Sequence, residues 1–254
     1  MRNLYKFAAV LVLLGTRAGL ARAERTRDVI VYSYVTPAGK KMLQPTHDHP
    51  AIYLLIKGGY REEGEKVAGE KSPPPEKVES MVRNALAAAN YQGVTADSRE
   101  LDYIIAYHWG YMNPEKIDGV TFNQPMMLAL VAGGSLDKMN PGFPPWEDIT
   151  QAADNDRYFI VISAYSPGAY VNHHEKKLLW RAQMSLDSDG TTQDESMPAL
   201  VSASVAYLGH ETTLPQEINE SLERPSQVII SAPVVKEYLP AIETGDLPDA
   251  IKKN

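Results

Sequence analysis

The chain has 254 residues, with 25 Lys and Arg, 32 Asp and Glu, 44% apolar residues and no cysteine. That length fits one large domain or one domain with an extension, and the missing cysteines exclude a disulfide scaffold, a Cys-ligated zinc site, thiol catalysis and a thioether lipid anchor. A formal charge of -7 argues against nucleic acid as a partner, because a broad polyanion surface needs clustered Lys and Arg.

Residues 1–23 read as a secretory signal peptide. Arg2 and Lys6 open it, Phe7 to Leu14 supply an apolar run, and Ala21-Arg22-Ala23 makes an A-x-A cleavage site before Glu24. The run is about half the ~20 residues a membrane span requires. Cleavage would remove Arg2, Lys6, Arg17 and Arg22 and leave a mature chain of net charge -11. The expected location is periplasmic or secreted, with no transmembrane segment in the mature chain.

Residues 24–210 are expected to form a single domain. Val29 to Val35 is rich in β-branched and aromatic residues and reads as a strand. Ile52 to Lys57 reads as a second one, ended by Gly58-Gly59. From Glu76 to Ala89 the apolar residues Val78, Met81, Val82, Ala85, Leu86 and Ala89 recur at helical period, with Pro75 in front and Asn90 as a left-handed stop. Leu101 to Tyr111 and Tyr158 to Tyr165 are apolar on both faces and read as interior strands. Short helices are expected at Asn123 to Ala132 and Trp146 to Asn155. Leu178 to Asp187 alternates, with Arg181 on the wetter side. A last helix spans Asp194 to Leu208 behind a Thr192/Glu195 capping box and stops at Gly209. Residues 211–254 form a proline-punctuated extended arm in which Val228 to Ser231 alone resembles a strand.

This order predicts an α+β fold: a mixed, largely antiparallel sheet with helices packed mainly on one face, plus the C-terminal arm. The link from Tyr165 to Leu178 is too short for a crossover helix, so those two strands should pair antiparallel.

Two stretches together resemble a known family. The helix Lys77 to Ala89 leads through Asn90-Tyr91 to the aspartate-led strand Leu101-Asp-Tyr-Ile-Ile-Ala-Tyr107. Later, Tyr158 to Ile162 is followed by Leu178-Leu-Trp-Arg-Ala182 and a helix ending at Gly209. About half the mature chain is thus similar to a family of bacterial envelope proteins and lipoproteins known as a domain of unknown function. The resemblance implies export and a small α+β domain and assigns no activity. Asn90 stands where that family has glycine, and the lipid-anchoring cysteine of many members is missing.

Chemical constellations are sparse. His47-Asp48-His49 has a metal-like spacing that would need a third ligand such as His173 or His174, but H-E-x-x-H and paired C-x-x-C patterns are absent. Ser135-Leu-Asp-Lys138 matches the S-x-x-K spacing of serine acyl enzymes, without the helix or the K-T-G strand that such chemistry requires. Asp187-Ser-Asp189-Gly190 lacks the bidentate Glu of a calcium loop and reads as a turn into the last helix. Gly58-Gly59 and Gly133-Gly134 lack a phosphate-loop lysine and read as turns.

Tyr103, Tyr107, Trp109 and Tyr111 share one strand face. They suit packing beneath a helix, or stacking of a ligand with His108 and Arg181 as polar contacts. The ligand-binding candidates are therefore His108, Trp109, Tyr111 and Arg181, with no catalytic residue, metal or cofactor expected. The leading expectation is an exported, non-enzymatic envelope protein that binds or assembles an envelope protein or cell-wall component. The alternatives are a hydrolase, through a histidine metal site or Ser135, and a small-ligand carrier.

Overall fold

The computed structural model describes residues 25–65, 70–96, 98, 100–142 and 145–222. The signal-peptide reading of 1–23 and the strand expected at Val228 to Ser231 lie outside them.

The central strand is β4 (Tyr103–Met112), and its alternation organises the molecule. Beside it on one side lie β2 (Ala51–Glu63) and then β3 (Tyr91–Gly93), both pairs parallel. On the other side follow β7 (Arg157–Tyr165), β8 (Leu178–Asp187), β1 (Thr26–Val35) and β9 (Gln216–Ser221), each antiparallel to its neighbour. The seven strands run β3-β2-β4-β7-β8-β1-β9. This is the mixed, largely antiparallel α+β sheet that the order of elements implies. The β7–β8 pair is antiparallel as expected, and the link between them holds the one short helix α4 (Pro167–His173), capped by Ser166.

The first sheet face is covered by α1 (Pro75–Ala88) and α5 (Gln193–Ser204). Val78, Val82, Ala85 and Leu86 of α1 and Met197, Leu200 and Val201 of α5 join one core cluster with the odd-numbered residues of β4, Tyr103 to Tyr111. Fully burying a Val, Leu or Ile side chain contributes about 1.5–3 kcal/mol, so these stripes outweigh any single cap or ion pair. Asn90 ends α1 at φ 63, as its place after the last apolar residue predicts.

The second face carries a smaller layer, α2 (Gln124–Ala132) and α3 (Trp146–Ala153). Met127, Leu130, Val131 and Ile149 pack there on Met112, Phe159 and Val161. Arg157 is buried beneath it, donating from Nε to Ser185 Oγ at 3.1 Å and from Nη1 to the Ala152 carbonyl at 3.2 Å. A cation at the last turn of α3 complements the helix dipole, although burial lowers the Arg157 pKa to about 10.

Two elements differ from expectation. Gly58-Gly59 does not end β2: the register shifts between Lys57 and Gly59, and the strand continues to Glu63 through a bulge. The arm expected from residue 211 also begins with β9, which lines the outer edge of β1. Its sequence, with Ile218 flanked by polar residues, has little apolar signal because an edge strand is largely wet.

Candidate functional site

Successive residues of β4 point to opposite faces, and this separates the four candidate ligand residues. Trp109 and Tyr111 belong to the first-face core. Trp109 stacks on Tyr107 with centroids 5.7 Å apart, and its Nε1–H donates to Ser72 Oγ at 3.3 Å. The ring is enclosed and not offered to a ligand. Tyr111 is buried beside Tyr60. The aromatic run therefore lies beneath helices, and it does not share a surface with His108 and Arg181.

His108 and Arg181 do come together, on the second face. Arg181 of β8 is paired across the ladder with Ser163 of β7, and its Nε–H donates to Ser163 Oγ at 3.0 Å. Ser163 lies diagonally opposite His108 through the Ala106–Ser163 and His108–Val161 pairs. On the far side of β4, Gly59 stands beside His108. Tyr60 packs on the first-face core, so Arg61 turns toward the second face. Tyr34 of β1 is the cross-strand neighbour of Arg181 and is partly exposed.

The row lies at the margin of the α2 layer, which ends where the Gln183 amide donates to the Ala129 and Leu130 carbonyls. Burial lowers the His108 pKa to about 4, with Arg181 and Arg61 adding positive potential in the same sense. The ring is therefore neutral near pH 7, and each nitrogen can donate or accept according to tautomer.

At the end of the sheet where β4 finishes, a cleft of about 620 Å³ is walled by Glu70, Asp154, Asp156, Asp187, Asp189 and Tyr158, among others. The Tyr158 hydroxyl donates to Glu70 Oε2 at 2.7 Å, and Asn155 Nδ2 donates to Asp187 Oδ2 at 2.8 Å. Burial raises the Asp156 carboxyl above the usual range, and Asp187 adds to this while Lys116 opposes it. Among the described residues no three His, Asp or Glu side chains are grouped to hold a metal ion. His47, His49, His173 and His174 are exposed and form no such group. The Asp187 to Gly190 stretch does serve as a turn between β8 and α5, with Gly190 at φ 66.

Ser135 is fully buried in a 3-10 turn at Gly133–Lys138, and its hydroxyl donates to the Ala132 carbonyl at 2.6 Å. Lys138 is exposed. A hydroxyl so enclosed and engaged is not positioned to attack a substrate.

Strands β5 (Lys116–Ile117) and β6 (Val120–Thr121) form a two-stranded ribbon closed by Asp118 at φ 50 and Gly119 at φ 79. Both positive φ values mark a type I′ turn, for which Asp-Gly between apolar residues is the sequence signal. Ile117 opposes Val120, and the Phe122 N–H donates to the Glu115 carbonyl at 2.8 Å, so Ile117, Val120 and Phe122 share one ribbon face. They are 49%, 61% and 61% exposed, and Met126, on the first turn of α2, is 46% exposed.

The ribbon is held at its base. Asn123 Nδ2 donates to the Asn113 carbonyl at 2.7 Å, the Glu115 N–H donates to Asn123 Oδ1 at 2.8 Å, and buried Asn113 Nδ2 donates to the Glu65 carbonyl at 2.8 Å.

No family model and no curated protein matches the chain. Among solved structures it is similar to a PDZ domain protein from Parabacteroides distasonis, at 11% identity and a TM-score of 0.39, over 77% of this chain and 39% of that one. The chain thus spans about two fifths of that protein's length. It is also similar to a PelC dodecamer from Paraburkholderia phytofirmans, at 8% identity and a TM-score of 0.34, over 72% of this chain and 99% of that one.

Proposed function

We propose that this chain is an exported, non-enzymatic envelope protein that binds or helps assemble another envelope component, using the β5–β6 ribbon as its contact. The observation that carries the reading is the solvent-facing apolar row Ile117, Val120 and Phe122, with Met126 exposed on the following first turn of α2. The ribbon holds these side chains outward on a hairpin braced at its base by Asn113 and Asn123. Contiguous exposed apolar side chains of this kind mark interaction surfaces, whereas isolated ones do not.

Export is supported by the charged start, apolar run and A-x-A site of residues 1–23. The resemblance to the envelope family of unknown function agrees with it. Absence of an acyl-enzyme arrangement at Ser135 makes the hydrolase reading the weaker one.

Photo-crosslinking in intact cells tests the proposal. A benzophenone amino acid at Phe122 should give a discrete adduct with an envelope component. The same probe at Lys41, exposed at the opposite end of the sheet, should give none. Equal labelling from both positions, or no adduct from Phe122, would reject the ribbon as the contact.

A further inference from the structure

We propose that Arg61, His108, Ser163 and Arg181 form a receptor for a phosphate-class oxoanion on the second sheet face, a site separate from the ribbon. Ladder register places the four on four adjacent strands, β2, β4, β7 and β8, all turned to the same side. The bond from Arg181 Nε to Ser163 Oγ leans the guanidinium across β7 toward His108 and leaves both terminal nitrogens without a hydrogen-bonded partner among the described residues. Arg61 approaches the same ring from β2.

Neither guanidinium has a carboxylate partner among the described residues, although the chain carries 32 acids. Other arginines are engaged: Arg83 with Glu79, Arg25 with Glu195 and the Gly190 carbonyl, Arg27 with the Asp189 carbonyl, and Arg157 with Ser185. Two cations that converge without a counter-charge repel one another, and an anion between them reverses the sign of that interaction. Guanidinium groups supply paired N–H donors matched to phosphate oxygens. A neutral imidazole adds one donor without bringing a carboxylate's repulsion. Tyr34 stands beside Arg181 on the next strand and is partly exposed.

The source of the oxoanion is either free phosphate or the phosphodiester of a lipid headgroup, and the experiment separates them. The purified protein, with its histidine rings observed by NMR, is titrated with inorganic phosphate and then sedimented with vesicles of phosphatidylglycerol or of phosphatidylcholine. The His108 resonances should shift saturably with phosphate, and Arg61→Gln and Arg181→Gln should each weaken the response about tenfold or more. Arg83→Gln, on α1, should leave it unchanged.

Phosphate saturation without sedimentation assigns the site to a soluble anion. Sedimentation with phosphatidylglycerol alone, lost in both variants, assigns it to a headgroup. No His108 response to phosphate and no sedimentation overturns the proposal, as does wild-type binding by both folded variants. The Phe122 crosslink does not depend on this site, so either result can fail without the other.

Discussion

Arg181 and Ser163 face each other across β8 and β7, and the 3.0 Å bond between them holds a guanidinium beside the imidazole of His108. The groups acting on that ring come from every strand around it. Arg181 reaches it from β8 and Arg61 from β2, Phe159 of β7 meets it edge-on at 6.0 Å, and no carboxylate is among the charges that shift it.

Acid should therefore weaken the fold through His108. Its pKa is near 6.5 when unfolded and about 4 when folded. Between those values the unfolded chain binds a proton that the folded chain refuses, so stability falls as pH drops through that window. The loss is on the order of 2–3 kcal/mol after allowance for partial exposure. Urea midpoints at pH 7 and pH 4.5 measure it. His108→Gln should flatten the difference, and an unaltered slope in that variant would show that His108 is not responsible.

Two adjacent glycines should behave differently. Gly133 has φ +54, and a Cβ there would lie 2.1 Å from Tyr32 Cε1, whereas at Gly134 the nearest atom is the Tyr32 hydroxyl at 3.8 Å. Gly133→Ala should cost about 2–4 kcal/mol, combining left-handed strain with a clash on a buried ring. Gly134→Ala should stay within about 0.5 kcal/mol of wild type. Chemical denaturation of both variants decides, and equal effects would contradict the packing described here.

The α5 capping box gives a third expectation. Glu195 N–H donates to Thr192 Oγ1 at 3.3 Å, and Thr192 N–H donates to Glu195 Oε2 at 3.3 Å. Thr192→Ala should lower stability by about 1 kcal/mol, and Thr192→Asp should retain most of it. A calorimetric melt comparing the two tests the cap apart from the size of the residue.

On the ribbon, exposure and backbone conformation should separate. Phe122→Ser removes a mostly exposed ring and should leave unfolding free energy within about 0.5 kcal/mol of wild type. Gly119→Val forces a β-branched residue into φ 79 and should open the turn. Amide exchange at Phe122, whose N–H closes onto Glu115, reports the difference. Fast exchange is expected in Gly119→Val and protected exchange in Phe122→Ser.

Local signals were legible wherever a stripe or a cap has a short period. The apolar spacing of Val78, Val82, Ala85 and Leu86 located α1, Thr192 and Glu195 located the start of α5, and Asn90 marked a left-handed stop. The turn signal for the ribbon is Asp118-Gly119 between Ile117 and Val120, but its two-residue strands carry almost no alternation to mark them. β9 escaped because its edge position asks little apolar character of it. Arg61 escaped for a different reason. Gly58-Gly59 reads as a strand end, and only the neighbouring β4 shows that the chain bulges and continues.

From the sequence alone come the elements, their inward stripes and the α+β class, because side-chain periodicity is set within a few residues by backbone geometry. Apart from the short-linked β7–β8 pair, which strand lies beside which is decided by long-range hydrogen bonding and burial, and no local pattern encodes it. That order places Trp109 on the first face and its neighbour His108 on the second, and brings Arg61 and Arg181, far apart in the chain, to either side of one imidazole.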